Sequence, residues 1–138
     1  MHGSPALVDL LRASRVEVHL DRGGTGHHPP TCGSTTVATF DDLGERCFVL
    51  EPADAGIERS DPAALRGGDA PTNAAIARAV LAGERGPCRD SALLNAAAAL
   101  VVAGRATNLR EGMAEAAGAV DSGRAADVLR RAREIAGS

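Results

Sequence analysis

Hydrophobic and polar positions follow several different rhythms along this chain, and each rhythm predicts an element. In residues 6–13 (ALVDLLRA) the leucines Leu7, Leu10 and Leu11 recur at spacings of three and four. That spacing predicts a short amphipathic helix, with Ser4 as its cap and Pro5 at its first position. Residues 15–20 (RVEVHL) switch to a period of two, setting Val16, Val18 and Leu20 against Arg15, Glu17 and His19, and so predict a strand. Residues 21–33 hold too much glycine and proline for a helix or a central strand and read as a loop. The β-prone runs STTVATF (34–40) and RCFVL (46–50) flank DDLGE, which predicts a hairpin turning at residues 42–44.

Beyond Pro52 the period becomes helical and alanine dominates. Asp61-Pro62 and Asp69-Ala70-Pro71 each set a capping carboxylate just ahead of a first-turn proline, which predicts two helix starts. Residues 74–82 carry Ile76, Val80 and Leu81 on a helical spacing; Gly83, Gly86 and Pro87 interrupt the pattern. Residues 92–103 are apolar nearly all round, with Asn95 the exception, and predict a buried central helix in which the Asn95 amide finds a neighbouring partner. Residues 108–120, capped by Thr107, and residues 124–136, after Ser122-Gly123, complete a helical cluster over 61–137. In the last helix Val128, Leu129 and Ile135 oppose Arg130, Arg131, Arg133 and Glu134, the pattern of a solvated outer face. The expected class is α/β, with a hairpin and an alanine-rich cluster of C-terminal helices in one domain over 1–138.

Composition narrows the function classes. The net charge is -3 with both signs interspersed, and the aromatics are Phe40 and Phe48 alone, so neither the basic stripe nor the stacking platform of a nucleic-acid binder is present. No segment approaches the ~20 apolar residues of a membrane span, and the first residues lack a signal-peptide pattern, so a cytoplasmic protein is expected. Cys32, Cys47 and Cys88 are odd in number and form no CxxC pair, which points to reduced thiols.

The loop DRGGTGHHPPTCGST holds the candidate chemistry. Asp21, Gly23, Gly24, Thr25 and Gly26 could cradle a phosphate through exposed amides and a hydroxyl, although Pro29-Pro30 denies the loop a following helix N-terminus. His27, His28 and Cys32, with His19 as a further candidate, could offer soft or borderline metal ligands. A flexible linker explains the same residues. Asp69 reads as a helix cap rather than a catalytic acid, and Arg66 as an anchor of its turn.

The order of RGGDAPTNA, GERGP, LLNAAAALVVAG and DSGRA along residues 65–125 closely resembles the carboxy-terminal segment of anthranilate phosphoribosyltransferases, of the glycosyltransferase family 3 type. The likeness extends more loosely over residues 7–137. It implies a small helical domain joined to a larger α/β domain, of which this chain matches the final portion. It also implies magnesium-dependent transfer of phosphoribose from phosphoribosyl diphosphate to anthranilate, in tryptophan biosynthesis.

Two departures bear on activity. A GTGGD loop preceded by a strand, a KHGN-like stretch and the family's arginine-containing acceptor segment are not found here. The family's acidic pair aligns with His27 and His28, and no carboxylate lies between Asp21 and Asp41. Magnesium prefers oxygen ligands, whereas imidazole suits zinc, copper or nickel. The expectation is therefore a phosphoribosyltransferase-like chain that is incomplete or inactive without a complementing subunit or homodimer; the alternative is a non-catalytic scaffold or binding module.

Overall fold

The computed structural model describes residues 16–17, 31–41 and 44–137. The helix expected over residues 6–13 and most of the strand expected over 15–20 lie outside these. Strand β1 (Val16–Glu17) pairs antiparallel with β2 (Thr35–Asp41), which pairs antiparallel with β3 (Gly44–Leu50), giving the order β1-β2-β3. The hairpin register runs from Thr35 opposite Leu50 to Asp41 opposite Gly44. β3 thus begins two residues earlier than the β-prone run, because Gly44 at φ 108° accepts a turn conformation that side-chain-bearing residues resist.

After β3 come two short 3-10 turns, Pro52–Ala55 and Pro62–Leu65. Asp61 does cap the second, accepting from the Ala63 N–H at 2.8 Å. The expected helix stops after one turn, however, since Arg66 is extended and Gly67-Gly68 follow, residues that weaken a helix interior.

Four α-helices follow: α1 (Ala70–Leu81), α2 (Pro87–Val102), α3 (Leu109–Asp121) and α4 (Arg124–Ala136). α1 and α2 start four and five residues ahead of their apolar runs, because Pro71 and Pro87 sit in the first turn, where a missing N–H costs nothing. The cap of α3 is Asn108, whose side chain accepts from the Glu111 N–H at 3.0 Å, so Thr107 stands one position outside the helix. Thr107 instead donates its N–H to the Glu111 carboxylate at 2.8 Å, the reciprocal half of a capping arrangement.

The expected all-round burial of α2 does not occur. Arg89, Leu93, Leu94 and Ala97 are buried, whereas Ala92, Asn95, Ala96 and Ala99 are exposed. Asn95 therefore needs no tertiary partner, and its side chain donates to the Ser91 carbonyl one turn back at 2.9 Å. Small residues make the buried face possible. Ala97 is fully buried against α3, and a Cβ placed on Gly112 would lie 2.9 Å from both the Ala97 Cα and carbonyl oxygen. The two backbones approach as closely as a glycine allows. Arg110 then ties α3 to the first 3-10 turn by donating to the Ala53 carbonyl at 2.8 Å. Among the described residues no helix is long and apolar enough to cross a membrane.

Gly112→Ala is expected to destabilise the chain by about 1–3 kcal/mol through backbone overlap at Ala97. Gly118→Ala, on the same helix with open space at its Cβ, should be neutral or stabilising. Urea unfolding of both variants checks the contrast; equal losses would contradict the close crossing.

Candidate functional site

GERGP and DSGRA meet where α1 ends and α2 begins, and the RGGD turn opens α1. The RGGD turn is held by Asn73, whose side-chain amide donates to the Gly68 carbonyl and accepts from the Gly68 N–H, both at 2.9 Å. A Cβ at Gly67 would overlap the Asn73 side chain, which explains a glycine at that position. Asp69 caps α1 by accepting from the Thr72 N–H at 3.0 Å. Hydrogen bonds from the Thr72 side chain and backbone hold its carboxyl below the ordinary value. Asp69 is thus a structural anion rather than a proton donor. Glu111 is lowered for the same kind of reason, by the Thr107 hydroxyl and then the Thr107 N–H.

GERGP closes α1 and opens α2. The N–H of Gly83 bonds the Val80 carbonyl and that of Glu84 bonds the Ala79 carbonyl, each at 3.0 Å, the pairing that ends a helix on a left-handed residue. Gly83 at φ +93° supplies that residue. From the first turn of α2, Arg89 runs back beneath this loop. It is 6% exposed, and its Nη2 meets the Asp121 carboxylate at 2.8 Å, whereas the Asp121 side chain is half exposed. The Arg89 Nη1 is buried without a hydrogen-bond partner among the described residues.

Asp121 ends α3 and opens the DSG turn, where Gly123 at φ 80° lets α4 start at once. The Arg89–Asp121 pair therefore fastens GERGP to DSGRA. Neither residue drew a functional role from the sequence, because their pairing joins positions 32 apart along the chain.

A cavity of about 250 Å³ opens beside GERGP, lined by Ala64, Val80, Glu84, Arg85 and Cys88 among others, and an apolar cleft of about 430 Å³ adjoins it between α1 and α2. Cys88 donates weakly to the Ala64 carbonyl at 3.6 Å. The residues with expected phosphate or metal roles, Asp21, Gly23, Gly24, Thr25, Gly26, His27 and His28, all lie outside the described residues. Among the described residues no group of three or more His, Cys, Asp or Glu side chains could hold a metal ion.

Arg89→Ala should open a buried gap, and Asp121→Asn should leave the buried guanidinium without an opposite charge; each should cost about 2–3 kcal/mol once the exposure of Asp121 is allowed for. Denaturant unfolding checks both. For Asp69 the folded pKa lies below the unfolded one, so its contribution is present above the unfolded pKa and fades as pH falls through the folded one. Asp69→Ala should therefore melt below the parent at neutral pH, and the gap should close in acid. A gap that stays constant with pH would contradict the cap assignment.

Comparison with known proteins places this geometry. The family model described as glycosyl transferase family, a/b domain, matches residues 5–126. The anthranilate phosphoribosyltransferase of Methylocella silvestris is 47% identical over 125 residues, covering 89% of this chain and 36% of that protein. The enzyme of the same name from Methylobacterium nodulans is 54% identical over 101 residues, covering 73% of this chain and 30% of its own length. The crystal structure of anthranilate phosphoribosyltransferase from Thermus thermophilus superposes with a TM-score of 0.69 at 36% identity, covering 78% of this chain and 32% of that one. The chain thus spans about a third of the length of the curated relatives it matches. With the match over residues 5–126 and the helical motifs assembled on a shared fold, this chain belongs to the glycosyl transferase family through its a/b domain.

Proposed function

We propose that these residues form the C-terminal wall of an anthranilate phosphoribosyltransferase-type site, serving tryptophan biosynthesis as part of a larger assembly. The observation that carries this reading is the 47% identity over 125 residues to a relative of that name. The reaction forms a bond from the anthranilate nitrogen to the ribose C1 as the bond from C1 to the diphosphate oxygen breaks, and the nitrogen gives up a proton. Positioning and electrostatic complementarity drive such a transfer, so every clamp must be in place together.

Within that reading the chain acts as one domain. Its described part supplies rigidity: the Arg89–Asp121 pair and the glycine-ended helices fix the loops at one end of the cluster. Asp21, Gly23, Gly24, Thr25 and Gly26 are proposed as the phosphate contact. His27 and His28 are proposed as the metal contact, with the imidazole preference for zinc, copper or nickel. The family resemblance implies magnesium; the described residues offer it no ligand cluster, so no step is assigned to it. Anthranilate and phosphoribosyl diphosphate are the proposed substrates.

A complementing subunit or second copy is the proposed partner, supported by the exposed Phe48 and Val49 on β3 and Val128 and Ile135 on α4. A second reading, a non-catalytic binding module, draws on Asp69 and Glu111, whose lowered carboxyls are engaged as helix-capping groups.

A polypeptide of these 138 residues should show no anthranilate phosphoribosyl transfer when assayed alone, and transfer should appear on addition of the N-terminal two-thirds of the Methylocella silvestris relative. Turnover by the chain alone would overturn the need for a partner. No turnover in the mixture, with a complex visible by sedimentation, would favour the binding module.

A further inference from the structure

A trough separate from the motif-lined cavities lies between the last turn of α1 and the outer side of α4, with a volume of about 560 Å³. Its floor is apolar: Leu81 and Ala82 from the end of α1, Ala126 and Leu129 from α4. Arg78, Arg130 and Arg133 line the same trough. Arg130 is engaged by Asp127 at 3.4 Å and by Glu134 at 2.8 Å. Arg78 and Arg133 are exposed and make no ion pair among the described residues.

In the last turn of α1 the carbonyls of Arg78, Ala79 and Val80 accept from the N–H groups of Ala82, Glu84 and Gly83. Val128 and Ile135, the latter 80% exposed, lie on another side of α4 and do not line the trough. A helix of 13 residues extends for about 20 Å, the length of a short docked helix.

We propose that this trough docks an acidic amphipathic helix of a partner protein, its leucine-type side chains on the Leu81–Leu129 floor and its carboxylates beside Arg78 and Arg133. The sign of the unpaired charges selects the partner. Two guanidinium groups without an ion pair among the described residues, over an apolar floor, favour carboxylates flanking an apolar stripe, in the manner of a helix laid into a groove. A phosphate polymer fits less well, because Glu134 shares the trough and the floor has no aromatic ring for base stacking. A second copy of the chain fits less well too, since α4 would bring its own Arg130, Arg131 and Arg133 towards the same cations.

The test is a fluorescence-anisotropy titration of the full chain with two dye-labelled helical peptides of roughly four turns, both with leucines at spacings of three and four. One carries glutamates on its flanks and the other lysines. The glutamate peptide should bind saturably and more weakly at about 0.5 M salt, and the lysine peptide should bind at least tenfold more weakly. Arg78→Glu with Arg133→Glu should lower glutamate-peptide affinity at least tenfold and raise that of the lysine peptide. The milder pair Arg78→Gln with Arg133→Gln should show an intermediate loss while melting like the parent, which separates a docking effect from unfolding. Equal binding of the two peptides, no saturable binding, or affinity unmoved by both pairs of substitutions would overturn the proposal. Displacement of the glutamate peptide by self-association of the chain, seen as a rise in sedimenting mass, would assign the trough to a second copy and also overturn it.

Discussion

The close crossing of α2 and α3 at Ala97 and Gly112 is the constraint on which the rest of the described fold depends. With so little aromatic volume available, the core cannot be filled by bulk, and apolar burial must come from bringing backbones together. Glycine at 112 and a fully buried alanine at 97 permit that approach. Leu93 and Leu94 fill the space beside the crossing on α2, and Ala116 on α3. Once α2 and α3 are fixed, Arg89 on one and Asp121 on the other come within 2.8 Å, and the GERGP and DSG turns are fixed with them.

The motifs that carry the family likeness are largely instructions for starting and stopping helices. Asp69 and Asn73 write the turn before α1, Gly83 ends it, Gly86 and Pro87 start α2, and Gly123 lets α4 follow α3 without a linker. Such devices need particular residues at particular positions, because only they satisfy the open N–H and carbonyl groups at helix ends or tolerate a positive φ. Together they fix the turns at the ends of α1, α2 and α4.

Much of this was legible in the sequence, and the misreadings share a cause. The hairpin of residues 34–50 and the Asp69 cap followed from local chemistry that tertiary contacts did not override. Asp61 caps its turn as expected, but Gly67 and Gly68, six and seven residues on, cut its helix to one turn. Asn95 was expected to be buried because residues 92–103 look apolar on every side; an alanine-rich helix gives no such signal of which face is covered, and one face remains open. Thr107 and Asn108 are both capping types, and only the geometry separates their roles. Arg89 escaped notice since burial of an arginine depends on a partner 32 positions away in sequence, which no local pattern reveals. The candidate ligands Asp21 to His28 fall outside the described residues.

Native-state hydrogen exchange of the 138-residue chain tests most directly whether the α2–α3 crossing governs stability. Amides flanking Ala97 and Gly112 should exchange last and with a common free energy, while those of α4, which exposes Val128 and Ile135, should exchange earlier. If α4 or the β2–β3 hairpin kept its protons as long as the crossing, the claim that the crossing organises the fold would be contradicted.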